Sequence, residues 1–174
     1  NGNAYPWAET QNGNKRGEFV KAWRHVHRIF DRVGATNVTW IWSPVAGTIR
    51  TSQYPGSRYV DVVGLSGFNG GTLLFSKRWR SFAEAFGPPL DALHALAPDK
   101  PVALTEIASA EQGGSKAEWI TDMFAEIRRR PYIRAIVWFN LRKETDWRIE
   151  SSPAAQAAFA AGAATVRSVS PNGQ

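Results

Sequence analysis

The chain of 174 residues contains no cysteine. This absence excludes disulfides, thiolate metal sites and cysteine nucleophiles, and it removes any inference about the redox compartment. The longest apolar runs, such as residues 60–65, are interrupted and much shorter than the roughly 20 residues that a membrane span requires, so no membrane partner is expected. Only three histidines are present. Because they are scattered along the predicted helices, no metal site is expected.

Nucleotide-binding fingerprints are also missing. The glycine-rich stretches at 69–71 and 112–114 do not open directly into a helix at the spacing that phosphate loops need, so no cofactor is expected. Lysine and arginine exceed acidic residues by 21 to 15, which permits nucleic-acid binding in principle. The densest run, Arg128 to Arg130, lies at a predicted helix end, where cations meet the helix dipole favourably. We interpret it as a solvated helix end, with an anion-binding patch as the alternative, and expect no nucleic-acid partner.

The composition is that of a folded chain, with 43% hydrophobic and 21% charged residues. Eight tryptophans are an unusual number, and a surplus of flat rings points to a stacking site for sugars or bases. Apolar spacings of three and four predict helices at 16–33, 81–97, 115–129 and 153–166. Pro88-Pro89 is expected to break the second helix into two pieces. Short apolar runs predict strands at 38–42, 59–65, 101–104 and 134–139, and 45–58 reads as a long loop or a short helical turn.

Strands that alternate with helices predict an α/β fold with a parallel sheet and right-handed crossovers. A (β/α)8 TIM barrel takes about 250 residues, so this chain is expected to cover about the last four strand–helix units. Residues 1–167 form the predicted domain and 168–174 a frayed tail. The chain is expected to begin inside a domain, in a strand-to-helix loop. Since four strands of a barrel leave two open edges, it should associate with the N-terminal half of the barrel or with a second copy.

The carboxyl ends of parallel strands carry the working residues of such folds. Glu106 follows the third predicted strand directly, a position suited to nucleophilic or acid/base chemistry, although a capping or salt-bridged carboxylate is an equal alternative. Glu111, Glu144 and Asp146 lie in longer loops and are expected to pair with lysine or arginine. Aromatic residues also gather near strand ends and in the opening loop, which suggests a sugar-binding cleft, although each ring taken singly is more often a core residue.

Five blocks in collinear order resemble glycoside hydrolase family 26, from residue 1 to about residue 159. They are residues 1–7 (NGNAYPW), 36–44 (TNVTWIWSP), 54–56 with 59–65 (YPG and YVDVVGL), 100–106 (KPVALTE) and 136–140 (IVWFN). The resemblance implies a retaining, endo-acting hydrolase of β-linked polysaccharide or oligosaccharide, with β-mannan or mixed-linkage β-glucan as substrate. It also implies a secreted or cell-surface protein.

The same resemblance implies roles for individual residues. Glu106 matches the nucleophile of the family, and Trp138 matches the aromatic residue that lies under the sugar. The predicted substrate-binding residues are Tyr5, Trp7, Trp42, Phe68, Asn69 and Trp138. The acid/base glutamate of the family belongs to a His-Glu-x-Asn-Gly motif whose last two residues match Asn1-Gly2, so it is expected two positions before Asn1. The chain by itself is then expected to be inactive.

Three positions depart from the family pattern. Ala4 stands where an aromatic platform is frequent, Ser66 where an aspartate is frequent, and Phe68 where a tyrosine hydroxyl orients the nucleophile. Loss of that hydroxyl removes one hydrogen bond that would orient the carboxylate of the nucleophile. The alternative function is therefore a non-catalytic carbohydrate-binding protein of the same fold.

Overall fold

Parallel strands alternate with helices in the computed structural model of the chain, which describes residues 5–74 and 77–166. The helices are α1 (Glu18–Arg32), α2 (Phe82–Leu96), α3 (Lys116–Arg129) and α4 (Pro153–Ala163), and the strands are β1 (Ile41–Trp42), β2 (Val62–Asn69), β3 (Val102–Ser109) and β4 (Ile133–Trp138). The sheet order is β1-β2-β3-β4. The alternation predicted from the sequence is confirmed, whereas the expectations for residues 1–4 and for the tail 168–174 lie outside the described residues.

The residues divide into two compact units. Of the described residues, the first unit contains 5–67, 89–106 and 132–137, and the second contains 68–74, 77–88, 107–131 and 138–166. The division passes through β2, α2, β3 and β4, so these elements contribute residues to both units. Each unit has its own buried residues, such as Trp42, Leu65 and Leu104 in the first and Phe86 and Trp119 in the second.

Two strands are longer than the sequence predicted. The expected ends at Leu65 and Leu104 are wrong, since β2 continues to Asn69 and β3 to Ser109. Backbone hydrogen bonds maintain the extended conformation beyond the predicted ends: the N–H of Ala110 donates to the carbonyl of Asn69 at 2.8 Å. The Ser66-Gly67 pair, a turn signal in isolation, is thus held inside a strand by its neighbours.

Strand β1 is shorter than predicted, because only Ile41 and Trp42 of the run 38–42 are paired. At Trp40 the backbone N–H donates to the carboxylate of Asp61 at 2.8 Å, and the carbonyl of Trp40 accepts from the N–H of Asp61 at 2.9 Å. The Asp61 side chain therefore replaces a ladder hydrogen bond and delays the start of the strand. Between β1 and β2 the expected helical turn is present as two 3-10 turns, Thr51–Gln53 and Ser57–Tyr59.

Helix α2 is a single element, so the predicted break at Pro88-Pro89 is wrong. Two prolines remove two N–H donors from the helix interior, which is unfavourable. Burial offsets this cost on both sides of the prolines: Phe82 and Phe86 stack at 4.6 Å in the second unit, and Leu90 and Leu93 are fully buried in the first.

Helix α1 has no fully buried residue. Its half-buried rings Trp23 and Phe30 pack against Trp40 at ring distances of 5.7 and 5.1 Å, and Gly34 follows the helix with a φ of 72°. The exposed large apolar residues of the helix and of the segment that follows it are Val26, Ile29, Val33, Val38 and Ile41. We call this set the α1–β1 apolar surface.

Helix α3 has the predicted cap and buried face. The Oγ of Ser115 accepts from the N–H of Glu118 at 3.1 Å. At the other end Glu126, only 4% exposed, accepts hydrogen bonds from Arg129 and Arg130. Two arginines of the basic run thus share one buried carboxylate, which balances one of their two positive charges.

Replacement of Glu126 by glutamine should lower the free energy of unfolding by about 1–3 kcal/mol at pH 7, because two guanidinium groups lose their charged partner. Burial raises the pKa of Glu126, but the hydrogen bonds from Arg130 and Arg129 outweigh it and hold the pKa below its usual value. The stabilisation is therefore complete above the ordinary carboxyl pKa and is lost as the pH falls through the lowered value. Urea unfolding of the unmodified protein and of Glu126→Gln measures this effect. The difference between their free energies of unfolding should become smaller toward pH 3. The exposed Glu118→Gln is the control on the same helix, and an equal effect there would contradict the assignment.

Replacement of Gly162 by alanine should destabilise the fold by about 1–3 kcal/mol, because it overpacks the contact with α3. A Cβ at Gly162 would lie 1.9 Å from the ring of Phe124. Helix propensity alone predicts the opposite sign, a gain of about 1 kcal/mol. Thermal unfolding of Gly162→Ala, with the exposed Ala161→Gly as the propensity control, separates the two effects. A stabilised Gly162→Ala protein would show that this close approach is absent.

Candidate functional site

Glu106 lies within β3 rather than after it, because the strand continues to Ser109. We expected Glu106 to follow the end of this strand. That expectation is wrong, because β3 is longer than predicted. The residues on either side of the site, Leu104 and Ile107, are fully buried, whereas Glu106 itself is exposed. The strand therefore exposes the Glu106 side chain between buried residues.

The strand is held in place just before Glu106 by a contact across β2. The hydroxyls of Ser43 and Thr105 form a hydrogen bond of 2.5 Å. Between them Gly64 has no side chain, and a Cβ there would lie 2.6 Å from Cβ of Ser43 and 2.8 Å from Cγ2 of Thr105. Glycine at this position lets Ser43, which follows β1, and Thr105 of β3 meet over β2.

Glu106 forms no hydrogen bond or ion pair with any residue in the described ranges 5–74 and 77–166. The alternative interpretation was a carboxylate that caps a helix or forms a salt bridge. In the part of the chain that is described, no group is present that would give Glu106 either role. An exposed carboxylate on a fixed strand, with both oxygens unengaged, is available as a nucleophile or a base.

The predicted pairing with lysine or arginine is confirmed for Asp146 and Glu144 and is wrong for Glu111. Asp146 receives two hydrogen bonds from the guanidinium of Arg148, at 2.9 and 2.7 Å. These bonds, opposed by partial burial, lower the pKa of Asp146 to about 2. Glu144 pairs with Lys143 at 3.0 Å. Glu111 accepts from the hydroxyl of Ser151 at 2.6 Å rather than from a lysine or arginine.

Two predicted sugar-contact residues of the opening loop lie together in the first unit. The rings of Tyr5 and Trp7 stack at 4.8 Å with an angle of 8° between their planes. Trp7 is 65% exposed and lines a shallow pocket with Pro6, Glu9 and Phe19. An exposed, pre-stacked aromatic pair beside a pocket is a suitable surface for a pyranose ring.

Trp42 is placed differently. Its register partner is Val63, and both residues are fully buried in the core of the first unit. Its ring contacts Tyr54 at 5.2 Å, and its indole N–H has no hydrogen-bond partner in the described residues. Trp42 therefore offers no exposed ring face in this structure.

Phe68 and Trp138, in the second unit, share a common neighbour. The ring of Phe68 contacts Trp147 at 5.2 Å and Phe139 at 5.4 Å. The indole N–H of Trp138 donates to the backbone carbonyl of Trp147 at 2.8 Å, and the ring of Trp138 packs edge-on against Trp119 at 5.8 Å. The second unit thus brings both predicted site aromatics to one segment, residues 139–152.

Asn69 is buried and fully engaged within the second unit. Its amide nitrogen donates to the hydroxyl of Ser109 at 3.1 Å, and its oxygen accepts from the N–H groups of Gly71 and Arg80, each at 3.4 Å. These bonds fix the loop that follows β2. The side chain acts here as a support for backbone groups.

Lys116 is a polar residue of this region that the sequence did not single out. It is the first residue of α3 and fully buried. A lysine beside a helix cap resembles any solvated residue in the sequence, so no local signal distinguishes it. Within the described ranges no cluster of three potential metal-ligating residues is present, and no helix there is long and apolar enough to span a membrane.

Comparison with known proteins identifies the family. The family model described as Glycosyl hydrolase family 26 matches residues 1–110. Endoglucanase H of Acetivibrio thermocellus is 41% identical over 168 residues, which cover 91% of this chain and 18% of that protein. Mannan endo-1,4-beta-mannosidase of Bacillus subtilis is 30% identical over 122 residues, which cover 66% of this chain and 30% of that protein.

Solved structures confirm the barrel class that the sequence predicted. A GH26 β-mannanase from Bacteroides ovatus has a TM-score of 0.72 at 19% identity, covering 94% of this chain and 47% of that chain. A modular endo-β-1,4-mannanase from Cellulomonas fimi has a TM-score of 0.69 at 22% identity, covering 94% and 38%. The chain spans less than half the length of each of these four proteins. It belongs to glycosyl hydrolase family 26.

Proposed function

We propose that the protein containing this chain is a retaining, endo-acting hydrolase of β-linked polysaccharide, with Glu106 as its nucleophile. The observation that carries this proposal is the exposed carboxylate of Glu106, which lies on a strand of the barrel fold and has no partner among the described residues. β-Mannan and mixed-linkage β-glucan are the proposed substrates. The names of the relatives, an endoglucanase and mannanases, support this class of substrate.

The chemistry requires two carboxyl groups. Glu106 attacks the anomeric carbon and forms a glycosyl ester, while a second carboxylic acid protonates the departing oxygen. That second group, now a carboxylate, takes a proton from a water molecule as the water oxygen attacks the anomeric carbon. The bond between this carbon and Glu106 breaks, which frees the Glu106 carboxylate and releases the sugar with retained configuration. In retaining enzymes the two groups are about 5–5.5 Å apart. We place the acid/base glutamate two positions before Asn1, so the chain alone supplies one of the two groups.

The remaining predicted residues take different parts in this proposal. Tyr5 and Trp7 offer an exposed stacked surface for sugar rings, and Trp138 is the ring beneath the sugar at the reacting bond. Phe68 contacts Trp147, as Trp138 does, and Asn69 supports the backbone that follows β2. Trp42 is a residue of β1 with a fully buried ring, so we assign it a packing role and no contact with substrate.

One observation favours the second candidate function, a non-catalytic carbohydrate-binding protein. Phe68 has no hydroxyl to orient a carboxylate, and its ring is packed against Phe139 and Trp147. In this case ring stacking would retain a weak affinity for glycans without hydrolysis. We propose secretion or display at the cell surface for either function, since polymeric substrates of this class are outside the cell.

The proposed partner of the chain is the other half of the barrel. β1 and β4 are the two terminal strands of the sheet order, so each has one neighbour. The α1–β1 apolar surface lies next to the β1 edge and includes Val33, which is 72% exposed. Water contact with this surface is unfavourable, and a second half-barrel, or a second copy of the chain, would cover it.

Glu106→Ala in the native protein should reduce hydrolysis of mannan or β-glucan by about a thousandfold or more, because the covalent intermediate cannot form. Reducing-sugar release measures the effect, and the exposed Glu118→Gln should retain normal turnover. With an activated aryl glycoside, added azide should restore turnover of Glu106→Ala and yield the glycosyl azide of inverted configuration, since azide then attacks in place of the carboxylate. Normal hydrolysis by Glu106→Ala would refute the assignment. Glycan binding by calorimetry, without hydrolysis by the unmodified protein, would favour the second candidate.

The 174-residue chain alone should show no glycosidase activity and should self-associate, because its apolar surface has no partner half. Sedimentation measures the association, and Val26→Lys with Val33→Lys should increase the fraction of monomer. The control is a double substitution of Lys21 and Arg32, two polar residues of the same helix, which should leave the fraction of monomer unchanged. A soluble, folded monomer of the 19.2 kDa chain that hydrolyses glycan would contradict both expectations.

A further inference from the structure

Lys116 is a fully buried lysine to which the proposed reaction assigns no role. Its ammonium nitrogen donates to the carbonyl of Asp146 at 3.2 Å, the carbonyl of Arg148 at 2.6 Å and the hydroxyl of Ser151 at 2.9 Å. An ammonium group has three N–H donors, so all of them are used. Every acceptor belongs to the segment 139–152, which follows β4.

The same segment holds the ring of Trp138. The indole N–H of Trp138 donates to the carbonyl of Trp147, which lies between two of the residues whose carbonyls Lys116 binds. In addition, the ammonium nitrogen lies 5.7 Å from the centre of the Trp138 ring, within the range of a cation–π contact. Lys116 therefore acts on Trp138 both directly and through the backbone at Trp147.

Further bonds make the segment a closed unit. The Ser151 hydroxyl that accepts from Lys116 donates in turn to Glu111 at 2.6 Å. The side-chain oxygen of Asn140 accepts from the N–H of Ile149 at 2.7 Å, which joins the start of the segment to its end. The ammonium group of Lys116 is thus part of a network of hydrogen bonds that involves both backbone and side-chain groups of this segment.

We propose that Lys116 is a positioning residue for sugar binding, which fixes the orientation of the Trp138 ring by holding the segment that accepts its indole N–H. This inference rests on the proposed function only for the sugar contact of Trp138. The placement of Trp138 by Lys116 depends on contacts within the second unit alone. A flat sugar face gains from stacking only where the ring orientation is already fixed.

The three hydrogen bonds that Lys116 donates should be sensitive to pH. Burial lowers the pKa of Lys116 to about 8, although the carboxylates of Glu111, Asp146 and Glu150 oppose the shift and Arg148 assists it. A neutral amine keeps two N–H donors for three acceptors, so one acceptor is left without its bond. The orientation of Trp138 should therefore loosen as the pH rises through about 8.

NMR of the indole N–H groups tests the placement without requiring activity. In the 15N-labelled native protein, the Trp138 signal is assigned by its loss in Trp138→Phe. We expect this signal to move with pH around a midpoint near 8 in the unmodified protein, and both to shift and to lose that transition in Lys116→Met. The control is Lys143→Met, which removes an exposed lysine of the same segment and should leave the signal unchanged. A Trp138 signal that is unaltered by Lys116→Met, in a protein with a native spectrum elsewhere, overturns the proposal.

Steady-state kinetics of the native protein tests the consequence for substrate. Lys116→Met and Trp138→Phe should each raise KM about tenfold, and the double variant should show little further change, because the two residues act through one contact. Additive losses would mean that Lys116 does not act through Trp138, and would overturn the positioning role. If Glu106→Ala retains hydrolysis, the proposed nucleophile fails, while the NMR result still decides the role of Lys116.

Discussion

The first three strands are held together at Gly64, where the side chains of Ser43 and Thr105 meet across β2. Any larger residue would separate these two hydroxyls, since a Cβ already comes within 3 Å of both side chains. The next residue after Thr105 is Glu106. The position of the candidate nucleophile is therefore set by a contact that depends on the lack of a side chain on the neighbouring strand.

Two buried polar side chains in the second unit bind backbone groups of irregular segments. Lys116 binds two carbonyls of the segment 139–152, and Asn69 supports two backbone N–H groups after β2. Buried polar side chains are favourable only when their hydrogen bonds are made. In both cases the side chain fixes irregular backbone beside an aromatic residue of the candidate site, which a purely apolar core could not do.

Two errors of the sequence-based predictions share one cause. Ser66-Gly67 is a turn signal, and Pro88-Pro89 is a helix-breaking signal, yet both lie inside regular elements. Local preferences amount to about 1 kcal/mol per glycine and about 3 per proline, which strand pairing and burial of large side chains can exceed. The predicted cap at Ser115 was correct because a cap depends on residues within one turn.

From the residues and motifs alone we predicted the alternation of strands and helices and the family, both of which are confirmed, because periodicity and ordered motifs are local or collinear properties. The choice of Glu106 as the nucleophile also came from these motifs and stays a prediction. Tertiary structure decided where β2 and β3 end, since hydrogen bonds to neighbouring strands hold residues that are turn formers in isolation. It also decided that Trp42 is buried while Trp7 is exposed, although both were equal candidates in the sequence. The role of Lys116 was visible only in the fold, because its three acceptors lie 30 or more residues further along the chain and are brought to it by packing.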